Sequence, residues 1–212
     1  ALRALVGWRG LHVGPGRARL ARAGMEIGLG GIAKGYIADR ALAVLRRAGL
    51  EAGLVNAGGD LAAFDRRSVG FPVGIERPGR PGEWFAELTL RGGGLATSAS
   101  TFRRHILDPR TGRFASGDRS STVLAASAAL ADAWATALQV LGDEARERVT
   151  RLRGIEALVV GPRGNPWSSP GLAGVVRWVP EGGAPGVEER PQDQEEHRRV
   201  EDERSRKLRP GE

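Results

Sequence analysis

The 212-residue chain contains no cysteine, one methionine, one tyrosine and three histidines. Without cysteine there is no disulfide, no thiolate nucleophile and no zinc–thiolate centre. The redox compartment is left open, because a chain without thiols suits an oxidising or a reducing one. Aromatic residues are also scarce, at 5% of the chain. Nucleic-acid binders usually join a basic stripe to stacking aromatics, whereas the 32 lysines and arginines here are scattered. Nucleic acid is therefore not an expected partner. No apolar run approaches the ~18 residues of a membrane span, and no signal peptide is visible. The opening residues Ala1-Leu2-Arg3-Ala4-Leu5-Val6-Gly7-Trp8 already read as folded sequence, as if the chain starts within a longer one.

Charge divides the chain. Residues 181–212 hold ten acidic and seven basic residues and carry −3, which leaves +10 on the preceding 180. Proline, glycine and charge fill this stretch, so it cannot bury enough apolar surface to offset its ordering entropy. It reads as a disordered tail, or at most a frayed helix over 192–207. Residues 1–180 read as one domain of short strands and two main helices, an α+β pattern with a mixed or antiparallel sheet core.

The most informative stretch is Gly28-Leu29-Gly30-Gly31-Ile32-Ala33-Lys34-Gly35-Tyr36. It reads as a glycine loop between a strand region, Arg19–Ile27, and a helix from Tyr36 to Ala48. Free N–H groups, the positive end of a helix dipole and a lysine ammonium together favour a phosphate or carboxylate. Gly28-x-Gly30-x-x-Ala33 formally satisfies a dinucleotide fingerprint, with Glu51 near the ribose-binding position. The following segments do not continue as βαβ, however. A P-loop fails, since Gly35 follows Lys34 where Ser or Thr is required. A glycine-rich turn with a surface lysine fits the loop equally well.

A second helix is expected from Ser127, its N-cap, to Leu141, with Gly142 ending it. Leu130, Ala133, Trp134, Ala137, Leu138 and Leu141 form its expected core stripe. The other face shows small residues around Asp132 and Thr136, which stand one above the other at i and i+4. Such oxygens suit a hard cation such as Mg²⁺; an alanine-rich helix with a solvated aspartate is the plainer alternative. Ala57-Gly58-Gly59-Asp60 is a tight turn that offers N–H groups and a carboxylate. Ala96-Thr97-Ser98 reads as a strand end with two hydroxyls. Short strands are expected over 52–56, 71–76, 84–90, 94–97, 121–125, 155–160 and 175–179. His105 precedes a rigid turn, Asp108-Pro109-Arg110-Thr111-Gly112.

Taken in order, these blocks resemble the FAD:protein FMN transferase, or ApbE, family. The resemblance rests on Gly30-Gly31-Ile32-Ala33-Lys34-Gly35-Tyr36…Asp39, Asn56-Ala57-Gly58-Gly59-Asp60, Ala96-Thr97-Ser98, the His105–Gly112 stretch and Ala131-Asp132-Ala133…Thr136-Ala137. It covers about residues 1–161 and the C-terminal half to two-thirds of the family domain. The resemblance implies a T-fold-related domain without its N-terminal region, which normally supplies part of the flavin pocket. It implies Mg²⁺-dependent transfer of FMN from FAD to a threonine or serine hydroxyl of a target flavoprotein, with release of AMP. Such targets include subunits of membrane electron-transport complexes. The carbonyl of Ala33, Asp132 and Thr136 would be the metal ligands. Lys34, Gly58, Gly59, Asp60, Thr97 and Ser98 would line the FAD site. His105 would take the incoming hydroxyl's proton, with Asp108 in reserve. The resemblance also implies a periplasmic or exported-side location, a cytoplasmic one being the alternative. Gly28 stands where relatives usually carry an acid, Ala99 where a glycine is common, and the segment before His105 is short. A chain that binds FAD without transferring it is the competing expectation.

Overall fold

The computed structural model describes residues 2–99, 106–115, 119–142, 144–161 and 166–180. In chain order the elements are β1 (Leu11–Gly14), β2 (Arg17–Leu20), α1 (Ala33–Arg47), β3 (Ala52–Ala57), β4 (Asp60–Asp65), β5 (Phe71–Arg77), β6 (Arg80–Leu90), β7 (Gly92–Ala99), β8 (Leu107–Asp108), β9 (Arg113–Phe114), β10 (Ser120–Ala125), α2 (Ala128–Leu141), α3 (Glu144–Thr150), β11 (Ile155–Val160), β12 (Pro166–Ser168) and β13 (Arg177–Trp178).

Two sheets and a helical layer stack on one another. The main sheet has the order β12-β11-β10-β7-β4-β3, and the smaller one the order β13-β6-β5. Every pairing is antiparallel. Alternation along the strands sorts side chains to the two faces of the main sheet. Leu61, Ala63, Leu95, Leu158 and Val160 pack against Ile75, Phe85, Leu88 and Leu90 of the smaller sheet. On the other face, Ala96, Val123, Ala157 and Val159 meet Ala131, Ala135 and Leu138 of α2, while Ala62 and Phe64 meet Ala38 and Leu42 of α1. No described helix is long and apolar enough to cross a membrane.

Several boundaries depart from the sequence reading. No strand covers 21–27: the N-terminal hairpin ends at Leu20, and an irregular segment leads into α1. The strand-to-helix handover that a dinucleotide fingerprint needs is therefore absent. Helix α1 starts at Ala33, so Lys34 and Gly35 belong to its first turn rather than to a loop. Strand β4 was hidden because Leu61, Ala62, Ala63 and Phe64 are all buried, between the helices on one side and the second sheet on the other. A strand buried on both faces shows no period-2 alternation. Helix α3 is a third helix, short enough that its periodicity is weak. The tail over 181–212 lies outside the described residues.

The faces of α2 are also redistributed. Its buried residues are Ala128, Ala131, Asp132, Ala135, Leu138 and Gln139, while Leu130 is 40% exposed. The small residues are thus the packing face, because they let the helix approach its neighbours closely. A Cβ on Gly94 would lie 2.1 Å from the Ala128 nitrogen, and one on Gly35 would lie 2.2 Å from the Ala128 oxygen. What approaches the small face is the sheet and α1. Asp132 is 3% exposed, so it is no solvated aspartate.

Candidate functional site

The N-terminus of α1, the β3–β4 turn, the ends of β7 and α2 and the start of β10 meet at one end of the main sheet. Register fixes part of this: Ala99 pairs with Ser120, and Ala57 with Asp60. Gly58 and Gly59 complete the turn at positive φ (65° and 95°), a region glycine enters at little cost. Asn56 Oδ1 accepts the Gly59 N–H at 2.8 Å and braces that turn.

On the helical side of the sheet, polar groups converge where the packing is tightest. The Lys34 ammonium lies 3.0 Å from Asp60 Oδ2. Asp60 is 1% exposed, and the Lys34 ammonium is the partner of its Oδ2. Burial, opposed by the Lys34 ammonium and reinforced by the neighbouring Asp132 charge, pushes its carboxyl up to about 6. The Gly35 N–H donates to Asp132 Oδ2 at 3.2 Å. Thr136 Oγ1 lies 3.3 Å from Ser98 Oγ, and a Cβ on Gly31 would stand 3.3 Å from Thr136 Cγ2 and Oγ1. Ala33 is the first residue of α1. Its carbonyl accepts along the helix ladder, and a second lone pair remains for another partner.

The fold thus brings Lys34, Asp60, Ser98, Asp132 and Thr136 into one cluster beside Ala33. Thr97 faces the other way, with Oγ1 2.9 Å from Thr122 Oγ1. It lines a pocket of about 530 Å³ between the two sheets, together with Asn56, Gly59, Ser120 and Trp84. Asp108 lies in the β8–β9 hairpin, where its carboxylate accepts from the Arg110 backbone at 2.8 Å and from Arg110 Nε at 3.1 Å. The Arg110 guanidinium is the main reason its pKa lies below the usual carboxylate value. His105 lies outside the described residues.

Two further residues organise the cluster: Asp39, in the sequence only the end of a motif and given no role, and Gln139. Asp39 accepts the Ala128 and Ala129 N–H groups, each at 2.9 Å, and so caps α2 from α1. Gln139 donates to the backbone carbonyls of Ser98 and Arg119 and pins both strand ends to α2. The i, i+4 spacing of Gly35 and Asp39 was the available signal, since it puts both on one face of α1.

The donor set can be tested against a divalent cation. A carboxylate, a hydroxyl and a backbone carbonyl are hard oxygen donors of the kind Mg²⁺ takes. The crowding of the buried Asp60 and Asp132 carboxylates gathers negative charge that a cation, added to the Lys34 ammonium, would offset. Among the described residues there is no group of three or more His, Asp or Glu. A cation here would therefore keep positions for water or phosphate, as Mg²⁺ usually does.

A three-layered α+β domain with an oxygen-donor cluster at one sheet end defines the class of this molecule. The model of the ApbE family matches residues 1–159, and the chain belongs to that family. It is 32% identical over 163 residues to the FAD:protein FMN transferase of Escherichia coli (strain K12), covering 69% of this chain and 46% of the relative. Against the protein of that name from Treponema pallidum, identity is 35% over 191 residues, covering 79% and 53%. The ApbE protein of Thermotoga maritima superposes with a TM-score of 0.74 at 30% identity, covering 83% of this chain and 62% of that one. The flavin transferase ApbE of Vibrio cholerae gives 0.70 at 26% identity, covering 82% and 60%. The chain spans about half the length of the curated relatives it matches.

Proposed function

We propose that this chain carries the cation- and pyrophosphate-binding part of an FAD:protein FMN transferase. The carrying observation is the cluster of Lys34, Asp60, Asp132 and Thr136 at the α1 N-terminus, in which two buried carboxylates crowd together beside the Lys34 ammonium. The names of the relatives supply the substrate, FAD, and the acceptor, a protein.

Ala33, Asp132 and Thr136 would hold Mg²⁺, which when bound neutralises charge on the FAD pyrophosphate. Lys34 adds a second positive charge at the positive end of the α1 dipole. The Gly58-Gly59 turn and Ser98 border the same sheet end and position the substrate. An incoming threonine or serine oxygen forms a bond to the FMN phosphorus, the P–O bond to AMP breaks, and AMP leaves. Phosphoryl chemistry of this kind asks the protein mainly for positioning and charge stabilisation. The hydroxyl proton goes to His105, a group whose ordinary pKa of ~6.5 lies near working pH. Asp108, already occupied by Arg110, is the reserve. The acceptor is an exported-side flavoprotein, for which subunits of membrane electron-transport complexes are candidates.

The test is mass spectrometry. The chain, FAD, Mg²⁺ and a threonine-bearing target fragment are incubated together; a target mass gain of one FMN with release of AMP supports the proposal. FAD binding without transfer favours the second reading, a flavin-binding domain that does not catalyse.

A further inference from the structure

The main sheet is blunted at one edge and open at the other. At the β12 edge the last strand has three residues and begins with Pro166, two features that discourage a further strand. At the opposite edge β3 runs for six residues, Ala52-Gly53-Leu54-Val55-Asn56-Ala57, with no charge, no proline and no bulge. No described strand lies beyond it. Its free side can be read from the register. The two-residue turn makes Ala57 and Asp60 a hydrogen-bonded pair. In the same phase, the Arg66 N–H donates to the Glu51 carbonyl at 2.9 Å. Gly53 and Val55 therefore bond to β4, and the N–H and C=O groups of Ala52, Leu54 and Asn56 point away from it.

The helical layer is open at the same end. Helix α2 lies over β7 and β10, and α1 over β3 and β4. Gly35 and Asp39 turn one side of α1 to α2, and Ala38 and Leu42 turn another to the sheet. Ile37, Ala41, Val44 and Ala48 form a second apolar stripe on the side opposite Gly35 and Asp39, which points past β3. All four are exposed, Ile37 at 60% and Val44 at 55%. A helix with two apolar faces is built to pack on both. The unpaired strand edge and the uncovered stripe thus lie side by side.

A strand edge is answered by another backbone, so the occupant is polypeptide rather than lipid. Charge argues against a second copy of this chain. Residues 1–50 hold nine basic residues and two acidic ones, and the exposed Arg40 and Arg47 flank the stripe. Two such faces would repel, whereas an acidic partner would be drawn in. The relatives carry chain beyond the part matched here, which is 46% of the Escherichia coli protein and 53% of the Treponema pallidum one.

We propose that the β3 edge and the outer face of α1 seat a polypeptide strand of apolar and acidic side chains, supplied by the share of the family's length outside the matched part. Its backbone pairs with Ala52, Leu54 and Asn56, its apolar side chains cover Ile37, Ala41 and Val44, and its acidic ones meet Arg40 and Arg47. The proposal stands apart from the assignment of the cation cluster.

Co-expression of the chain with the part of the Escherichia coli relative outside the matched 163 residues tests it, with size-exclusion chromatography and light scattering as the measurement. One-to-one co-elution is expected, with slowed hydrogen exchange at the Leu54 and Asn56 amides. Val44→Glu puts a charge into the covered stripe, and Ala52→Pro removes an outward N–H at the first residue of β3. Each should weaken the complex at least about tenfold. Neither disturbs a buried contact of the chain alone, so the Tm of each variant should stay within about 2 °C of the unaltered chain. Absence of co-elution overturns the proposal, as does a complex that neither variant weakens. Self-association of the chain alone that Ala52→Pro abolishes also overturns it, because the occupant is then a second copy.

Discussion

Asp39 on α1 and Asp132 on α2 cap each other's helices. The first accepts two N–H groups from the opening turn of α2, and the second accepts the Gly35 N–H from the opening turn of α1. Each carboxylate meets the positive end of the opposite helix dipole and satisfies donors that the helix itself cannot. The consequence is functional as well as structural. The cross-cap sets the position of Asp132 and Thr136 against Ala33, so the geometry of the proposed cation site would follow from how the two helices dock.

Removing one half of this arrangement is expected to cost about 1–2 kcal/mol, the usual magnitude for a lost cap. Asp39→Ala is the variant and chemical denaturation the measurement. Asp39→Asn keeps an acceptor and should lose about half as much. A variant as stable as the unaltered chain contradicts the cap.

The glycines of the 28–35 run should differ sharply in their tolerance of a methyl group. Gly35→Ala drives a Cβ to 2.2 Å from the Ala128 carbonyl oxygen. Backbone cannot swing aside there, so a loss of about 3 kcal/mol or more is expected. Gly28→Ala meets nothing within 4 Å and should stay within about 0.5 kcal/mol. Gly31→Ala presses on Thr136 at 3.3 Å. Its expected effect is weaker Mn²⁺ binding with little change in Tm. Thermal melts of the three variants separate these outcomes.

That contrast also shows what the sequence made legible. The residues of the cluster could be read from their types and spacing: Lys34 next to glycines, and Asp132 and Thr136 one helical turn apart. Their burial could not. Ala128, Ala131 and Ala135 look like an open, small-residue face, and only the approach of Gly35 and Gly94 turns that face inward. For the same reason β4 was unreadable: Leu61 to Phe64 is apolar throughout because it is covered on both sides. Gln139 bonds to backbone carbonyls of distant elements, a role that leaves no local sequence mark, and for Asp39 the sequence offered a place in a motif but not its partners on α2.

Acid should destabilise the protein through two carboxylates that the fold keeps ionised. The Asp65 pKa is lowered first by the Gly70 N–H, which donates at 2.6 Å, and then by Arg67; that of Asp108 is lowered chiefly by Arg110. A folded-state pKa below the unfolded value means that the native state binds fewer protons. The contribution is therefore complete above the ordinary aspartate value of 3.8 and is lost as pH falls through the lower folded values. Urea midpoints compared at pH 7 and pH 3 should fall for the unaltered chain. The fall should be smaller for Asp108→Asn, which has already lost the interaction.

The central claim is that Asp132 and Thr136 hold a divalent cation at the place where a pyrophosphate binds. Mn²⁺ titration followed by electron paramagnetic resonance, in the presence of FAD, tests it directly. The account predicts saturable Mn²⁺ binding that EDTA reverses, that Mg²⁺ competes away and that Asp132→Ala weakens by at least about tenfold. Equal Mn²⁺ affinity in the unaltered chain and Asp132→Ala would contradict it.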